Sequence, residues 1–275
     1  MGVPKTIDND LFGTDHCPGY ASAAKYIATS CMEVSKDCRV YDNGTITVIE
    51  IMGRHAGWLA GSAALATYCG SGPDLVYLPE VDFDMERFFA DVHRVYEQKN
   101  SVLIAVSEGI RLTDGRFVCE LGSMSDYVDA FGHKQLSGCA SFLANKVTEA
   151  TGLKSRPIEF STLQRCATHM ASRIDVDEAS AVGFVACQAA MEGHTGMMVT
   201  IQVTSREPYL VTYNKYDIHE IANVERKVPR DWIINDGTYV SEKYLEYARP
   251  LILGNILPYY AGGLPRHLTL HNKNK

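Results

Sequence analysis

The sequence predicts an α/β fold with a mainly parallel sheet. Short apolar runs rich in β-branched residues recur along the chain, the clearest being TITVIEI over Thr45–Ile51. Helical patterns of about 10–15 residues alternate with them, the spacing expected of strand–helix–strand units. No repeat period or low-complexity segment interrupts the alternation.

Element by element, the first residues read as a loop carrying three acids, Asp8, Asp10 and Asp15. Small residues then support a helix over about Tyr20–Cys31, and Asn43–Gly44 marks a turn. Met52–Gly53–Arg54–His55 breaks the Thr45–Ile51 strand, and an alanine-rich helix follows over Ala56–Tyr68. Leu75–Leu78 reads as a short buried strand. Asp84–Gln98 is an amphipathic helix with Phe88, Val92 and Val95 or Tyr96 on one side. Ser101–Val106 is a strand ending at Ser107–Glu108–Gly109. Leu136, Cys139, Ala140, Leu143 and Val147 define a helix over Leu136–Ala150, closed by Thr151–Gly152. Beyond it we expect a strand at Arg156–Phe160, a helix at Asp177–Met191, a strand at Gly196–Val203 and a helix at Ser241–Ala248 that ends before Pro250.

Composition narrows the function classes. The 275 residues suffice for one large domain or two ordinary ones, with 46% hydrophobic and 21% charged residues. Lys and Arg number 26 against 33 Asp and Glu, a formal charge of −7 with no long basic block. That argues against nucleic-acid binding, which needs phosphate neutralisation, but permits a local cationic pocket for a small phosphate compound. Residues 1–20 lack the apolar core of a signal peptide, and no apolar stretch approaches a membrane span. The eight cysteines form no CxxC pair, so reduced cytosolic thiols and a cytoplasmic location are expected.

Four polar groupings stand out. In Pro4–Lys5–Thr6–Ile7–Asp8–Asn9–Asp10, a locally extended chain points Asp8 and Asp10 the same way. One carboxylate could then take a hydroxyl proton while the other holds Mg²⁺ directly or through water, and Lys5 supplies charge for a phosphate-rich transition state. The alternative is a solvated acidic turn. Gly53 and Arg54 lie at a strand end, where an open α/β sheet forms its ligand crevice. Glycine there admits a close ligand and arginine forks onto phosphate, with Met52 as an apolar wall or ordinary packing. Glu108 follows a strand in the same manner, and could accept from sugar hydroxyls or serve as a cap or ion-pair partner. Arg156 and Arg165 bracket Pro157–Gln164; with Ser161 and Thr162 they could bind a sugar phosphate, or form surface ion pairs. Lys134 is a further, unspecific phosphate contact. His16, His133 and His169 show no metal-ligand spacing and read as structural or exposed. No GxGxxG or GxxxxGK[ST] nucleotide loop occurs.

In order along the chain, GVPKTIDND, IEIMGRHAGW, AVSEG and STLQR resemble the phosphofructokinase superfamily, over essentially residues 2–266. The lysine at position 5 and the closing ARPLILGNILPYYAGGLPR look like its pyrophosphate-dependent branch. The resemblance implies a phosphofructokinase-like α/β fold of two lobes, with mainly parallel sheets and flanking helices. It assigns residues 1–20 to the catalytic loop region of one lobe, 21–162 to the sugar-phosphate-binding lobe, and 163–275 to the return and C-terminal crossover. It implies reversible, Mg²⁺-dependent phosphoryl transfer from pyrophosphate to the 1-hydroxyl of fructose 6-phosphate. Asp8 would be the general base and Asp10 part of the Mg²⁺–phosphate arrangement. Thr6, and Ile7 beside it, would lie by the sugar or transferring phosphate. Met52, Gly53 and Arg54 would form part of the sugar-phosphate site, and Glu108 would bind sugar hydroxyls. Arg156 and Arg165, with Thr162, Leu163 and Gln164 between them, would hold the 6-phosphate, one arginine reaching across a subunit interface of a homo-oligomer. Lys5 stands where the ATP-using branch has glycine.

Two positions depart from the family pattern. Thr45 stands where arginine is common, and Thr162 where histidine or tyrosine is common, so a related acceptor sugar remains open. The family's glycine-rich donor segment also precedes the TIDND region, whereas Met1 here leads directly into GVPKTIDND. A truncated or split enzyme is therefore expected, one lobe incomplete, with little turnover unless a donor segment complements it. An ATP-dependent 6-phosphofructokinase and a non-catalytic regulatory or assembly subunit are the alternatives.

Overall fold

A computed structural model describes residues 1–122 and 138–267. Leu136, His133 and Lys134 lie outside the described residues. The central feature is a four-stranded, all-parallel sheet of order β2-β3-β1-β4, formed by β1 (Ile46–Ile51), β2 (Leu75–Tyr77), β3 (Val102–Ser107) and β4 (Ser155–Glu159). β1 and β3 are buried on both faces, as their near-continuous apolar runs require. Strand alternation sorts their side chains into two cores. Ile49, Ile51, Leu103 and Ala105 face α1 (Tyr20–Cys38), α2 (Trp58–Ser62) and the Glu242–Ala248 helix. Ile46, Val48, Ile104 and Val106 face α3 (Met85–Lys99) and α4 (Cys139–Thr151).

Local chemistry explains the helix ends. Asp84 caps α3 by accepting from Arg87 N at 2.8 Å, and Asn100 closes it in the left-handed conformation at φ 56°. α1 runs seven residues past its expected end at Cys31. Its Glu33–Asp37 stretch is polar, but Cys31, Ser35 and Cys38 continue the buried stripe. Gly19 cannot cap α1 with a side chain. Instead Asp175, on α5 (Arg173–Met191), accepts from Gly19 N at 2.8 Å and Ser22 N at 2.9 Å. That task draws the start of α5 four residues ahead of the expected Asp177. The expected Ala56–Tyr68 helix divides into α2 and a 3₁₀ segment, Ala63–Cys69.

The expected Gly196–Val203 strand is β5 (Met197–Arg206), and it pairs antiparallel with an unexpected β6 (Tyr209–Asp217). β6 escaped the periodicity because its residues are mostly exposed. Val199 and Ile201 of β5 pack beneath Val182 and Ala186 of α5. The other edge of β5 takes the start of the chain: Val199 N donates to Gly2 O at 3.0 Å, and Asp15 N donates to Ile201 O at 2.8 Å. The loop bearing Asp8 and Asp10 is thereby pinned at both ends.

One acid sits inside the sheet. Glu50 of β1 is 5% exposed, and its Oε2 accepts from Ala140 N at 2.9 Å in the first turn of α4. Burial pushes its carboxyl up to about 7; the α4 N–H donors pull it down and Glu159 pushes it further up. The folded state thus holds an extra proton between about pH 4.5 and 7. The stability from this site is full below about 4.5 and is lost as pH rises through about 7. Glu50→Gln keeps the acceptor and removes the titration. In urea melts from pH 4 to 8, the wild type should lose on the order of 3 kcal/mol relative to Glu50→Gln; parallel profiles would refute the assignment.

Candidate active site

The acidic loop is a turn. Thr6 Oγ1 accepts from Asp8 N at 3.1 Å and donates to Asp8 Oδ2 at 3.3 Å. Asn9 is left-handed at φ 60° and fully buried, so the extended alternation expected for Asp8 and Asp10 is replaced by a bend. Asparagine tolerates this conformation, and its amide fixes it. Asn9 Oδ1 accepts from Cys17 N at 2.9 Å, while Nδ2 donates to the Tyr247 hydroxyl at 2.8 Å. Ile7 packs on the core beside α1.

The two carboxylates remain electrostatically coupled. Burial raises the Asp8 carboxyl, and its bond to Thr6 with the charges of Lys5, Arg165 and His55 pulls it back. Burial also raises Asp10, and repulsion from Asp8 and Glu225 adds to it. Glu225, which sequence reasoning missed, pairs with His55 Nδ1 at 3.3 Å. A cavity of about 590 Å³ opens beside Asp10, lined by Phe12, Met198, Ile221, Asn223 and Glu225 among others.

The turns that follow β1 and β3 meet backbone to backbone. A Cβ on Gly109 would lie 2.1 Å from Arg54 O, and one on Gly53, at φ 134°, would lie 2.6 Å from Ala56 O. Ser107 Oγ donates to Gly53 O at 2.5 Å, and Gly53 N donates to Glu108 Oε1 at 3.3 Å. Burial pushes the Glu108 carboxyl up to about 7; the Gly53 N–H and Arg54 pull it down, while Glu50 and Asp8 push it up. The segment after β4 is clamped to the same place. Gln164, 2% exposed, accepts from Met52 N at 3.3 Å and donates to Ser161 O at 2.9 Å. That bond leaves Thr162, Leu163 and Arg165 exposed at the rim.

The C-terminal edge of the sheet thus gathers Lys5, Thr6, Asp8, Asp10, Met52, Gly53, Arg54, Glu108, Gln164 and Arg165. Arg156 is not among them. It enters β4 at the register of Thr47, and its Nη1 pairs with Asp37 at 2.5 Å. Thr45 is buried at the opposite end of β1 from Gly53. His16 is structural, bonded by Asp15 at 2.9 Å and Glu178 at 2.5 Å, which together hold its pKa up against burial. Among the described residues no three His, Cys, Asp or Glu side chains converge as a ready-made metal cluster, and no helix is long and apolar enough to cross a membrane.

Known proteins are similar to this chain along most of its length. The phosphofructokinase family profile matches residues 1–190. A pyrophosphate–fructose 6-phosphate 1-phosphotransferase of Methylococcus capsulatus is 44% identical over 273 residues, covering 98% of this chain and 64% of the relative. Its counterpart in Halomonas elongata is 42% identical over 267 residues, covering 96% of this chain and 63% of the relative. The crystal structure of a pyrophosphate-dependent phosphofructokinase from Nitrosospira multiformis superposes with a TM-score of 0.85 at 36% identity, over 97% of this chain and 64% of that one. The chain therefore spans a little under two thirds of the length of these relatives. With the family profile covering the acidic turn, both glycine turns and Arg165 alike, the chain belongs to the phosphofructokinase family.

Proposed function

We propose that the site serves reversible phosphoryl transfer from pyrophosphate to the 1-hydroxyl of fructose 6-phosphate, giving fructose 1,6-bisphosphate and orthophosphate. The observation that carries the reading is the meeting of Asp8 with Lys5, Arg165 and Glu108 at one sheet edge. Phosphoryl transfer asks a protein mainly for positioning and charge, and this edge supplies a base, cations and hydroxyl acceptors together. The names of the similar proteins point to the same donor and acceptor.

Each residue has a part in this reading. Asp8, its carboxyl raised by burial, takes the proton of the attacking hydroxyl. Glu108, raised to about 7 and oriented by Gly53 N, accepts from sugar hydroxyls. Arg54 and Arg165 grip the 6-phosphate, with Met52, Thr162 and Leu163 shaping its pocket and Gln164 holding that wall in place. Thr6 orients Asp8, and Ile7 supports the turn from below. Arg156, on the far side of the sheet, serves the 6-phosphate of a neighbouring copy. Lys5 stabilises charge on the pyrophosphate.

The residues also fit a magnesium ion. Asp10 has a carboxylate partner in repulsion and a cavity beside it, and a single carboxylate is the usual protein share of a phosphate-bound Mg²⁺. When bound through Asp10, directly or through water, the ion neutralises phosphate oxygens. The cavity's lining contains Asp10 and Glu225 but no Lys or Arg. Our proposal therefore includes donor contacts completed by polypeptide beyond these residues, and a cytoplasmic setting for the assembly.

The test is ³¹P NMR with fructose 6-phosphate and Mg²⁺, with and without the glycine-rich segment of a pyrophosphate-dependent relative added as a separate polypeptide. Fructose 1,6-bisphosphate should form from pyrophosphate and not from ATP, and more in the mixture. Product from ATP, or acceptor binding without product in either case, would overturn the reading. In the active mixture, Asp8→Asn should lower kcat by about 10²–10⁴ with KM for the acceptor within about threefold. Lys5→Gly should lower kcat/KM for pyrophosphate by roughly 10–100-fold while leaving acceptor binding intact.

A further inference from the structure

One half-buried cation that the reaction does not use is bound to the acidic turn from behind. Arg226 Nη2 donates to Asn9 O at 3.3 Å, and Arg226 N donates to Asp10 O at 2.7 Å. These two carbonyls flank the Asp10 Cα, so a single residue fixes both peptide planes that orient its side chain. The same Nη2 donates to the Tyr247 hydroxyl at 2.9 Å. That hydroxyl also accepts from Asn9 Nδ2 and donates to Asp15 O at 2.9 Å. The guanidinium lies over the Trp58 ring at 4.1 Å and the Tyr247 ring at 5.5 Å. Trp58 Nε1 returns a bond to Arg226 O at 2.8 Å.

Trp58 opens α2, five residues beyond Gly53. Arg226 therefore touches both halves of the site: the turn with Asp8 and Asp10, and the helix that follows the Gly53–Arg54 turn. A planar fork stacked on an indole suits this task, since it bonds at its edge and packs on its face. We propose that Arg226 is a positioning residue, which holds the Asp8–Asn9–Asp10 turn in register with the sugar-phosphate turn.

The kinetic part of the proposal rests on the phosphoryl-transfer reading, but the structural part does not. Hydrogen–deuterium exchange tests the latter on the full chain without turnover. In Arg226→Met, amides within 5–17 should exchange about tenfold faster or more, while those of 46–51 and 102–107 stay unchanged. Arg226→Lys should fall between, since it keeps charge but loses the fork; it also carries the measurement if the methionine variant does not fold. In the active mixture, kcat should fall about tenfold or more with acceptor KM within about threefold. Unchanged exchange in 5–17, an equal rise in the sheet peptides, or an unchanged kcat despite loosened 5–17 would each overturn the proposal. If the wild type shows no turnover, the exchange result still decides the structural part, and only the reaction assignment fails.

Discussion

The contact between the Gly53–Arg54 turn and Gly109 governs the rest of the site. A parallel pair such as β1 and β3 ends with two chains leaving the same edge, and side chains normally keep them apart. Here the space for a Cβ on Gly109 is filled by the Arg54 carbonyl of the facing turn. The closeness lets Gly53 N reach Glu108, and places Met52 N within reach of Gln164 on the segment that follows β4. Three strand ends thereby converge on a few ångströms of backbone, and their acidic and basic side chains are drawn together as a consequence.

Bringing carboxylates together in a partly buried place opposes their ionisation, and the structure balances this unevenly. Asp8 has cations nearby to offset burial, whereas the listeners behind it, Glu108 and Glu50, have mostly backbone N–H groups. The result is a graded set of acids in which the group closest to Lys5 and Arg165 has the most cationic support. Aromatic rings carry the mechanical load beneath them. Trp58, Trp232, Tyr244 and Tyr247 pack with centroid separations of 5.1–6.4 Å, and the acidic turn hangs from Tyr247.

Much of this was legible in the residues. β-branched runs located the parallel sheet, and the motifs around Asp8, Gly53, Glu108 and Arg165 marked its C-terminal edge. What stayed hidden depends on partners distant in sequence. Asn9 looks like a spacer between two acids until Cys17 and Tyr247 take both ends of its amide. Glu225 and Arg226 sit in a polar stretch without periodicity, and only tertiary pairing with His55 and residues 9–10 gives them a place. α5 begins ahead of the expected Asp177 for the same reason, because Asp175 serves the end of a different helix. Arg156 sits within β4 at the register of Thr47 and pairs with Asp37, a separation from Arg165 that their spacing in the chain does not reveal.

The aromatic cluster also has an optical consequence. The chain's two tryptophans, Trp58 and Trp232, stand edge to face at 6.1 Å, with Tyr20, Tyr244 and Tyr247 around them. Light absorbed by any of these rings can pass to an indole that lies under the Arg226 cation. The tryptophan emission of the chain therefore originates from one locality, between the acidic turn and the sugar-phosphate turn, and reports on that boundary without any attached dye.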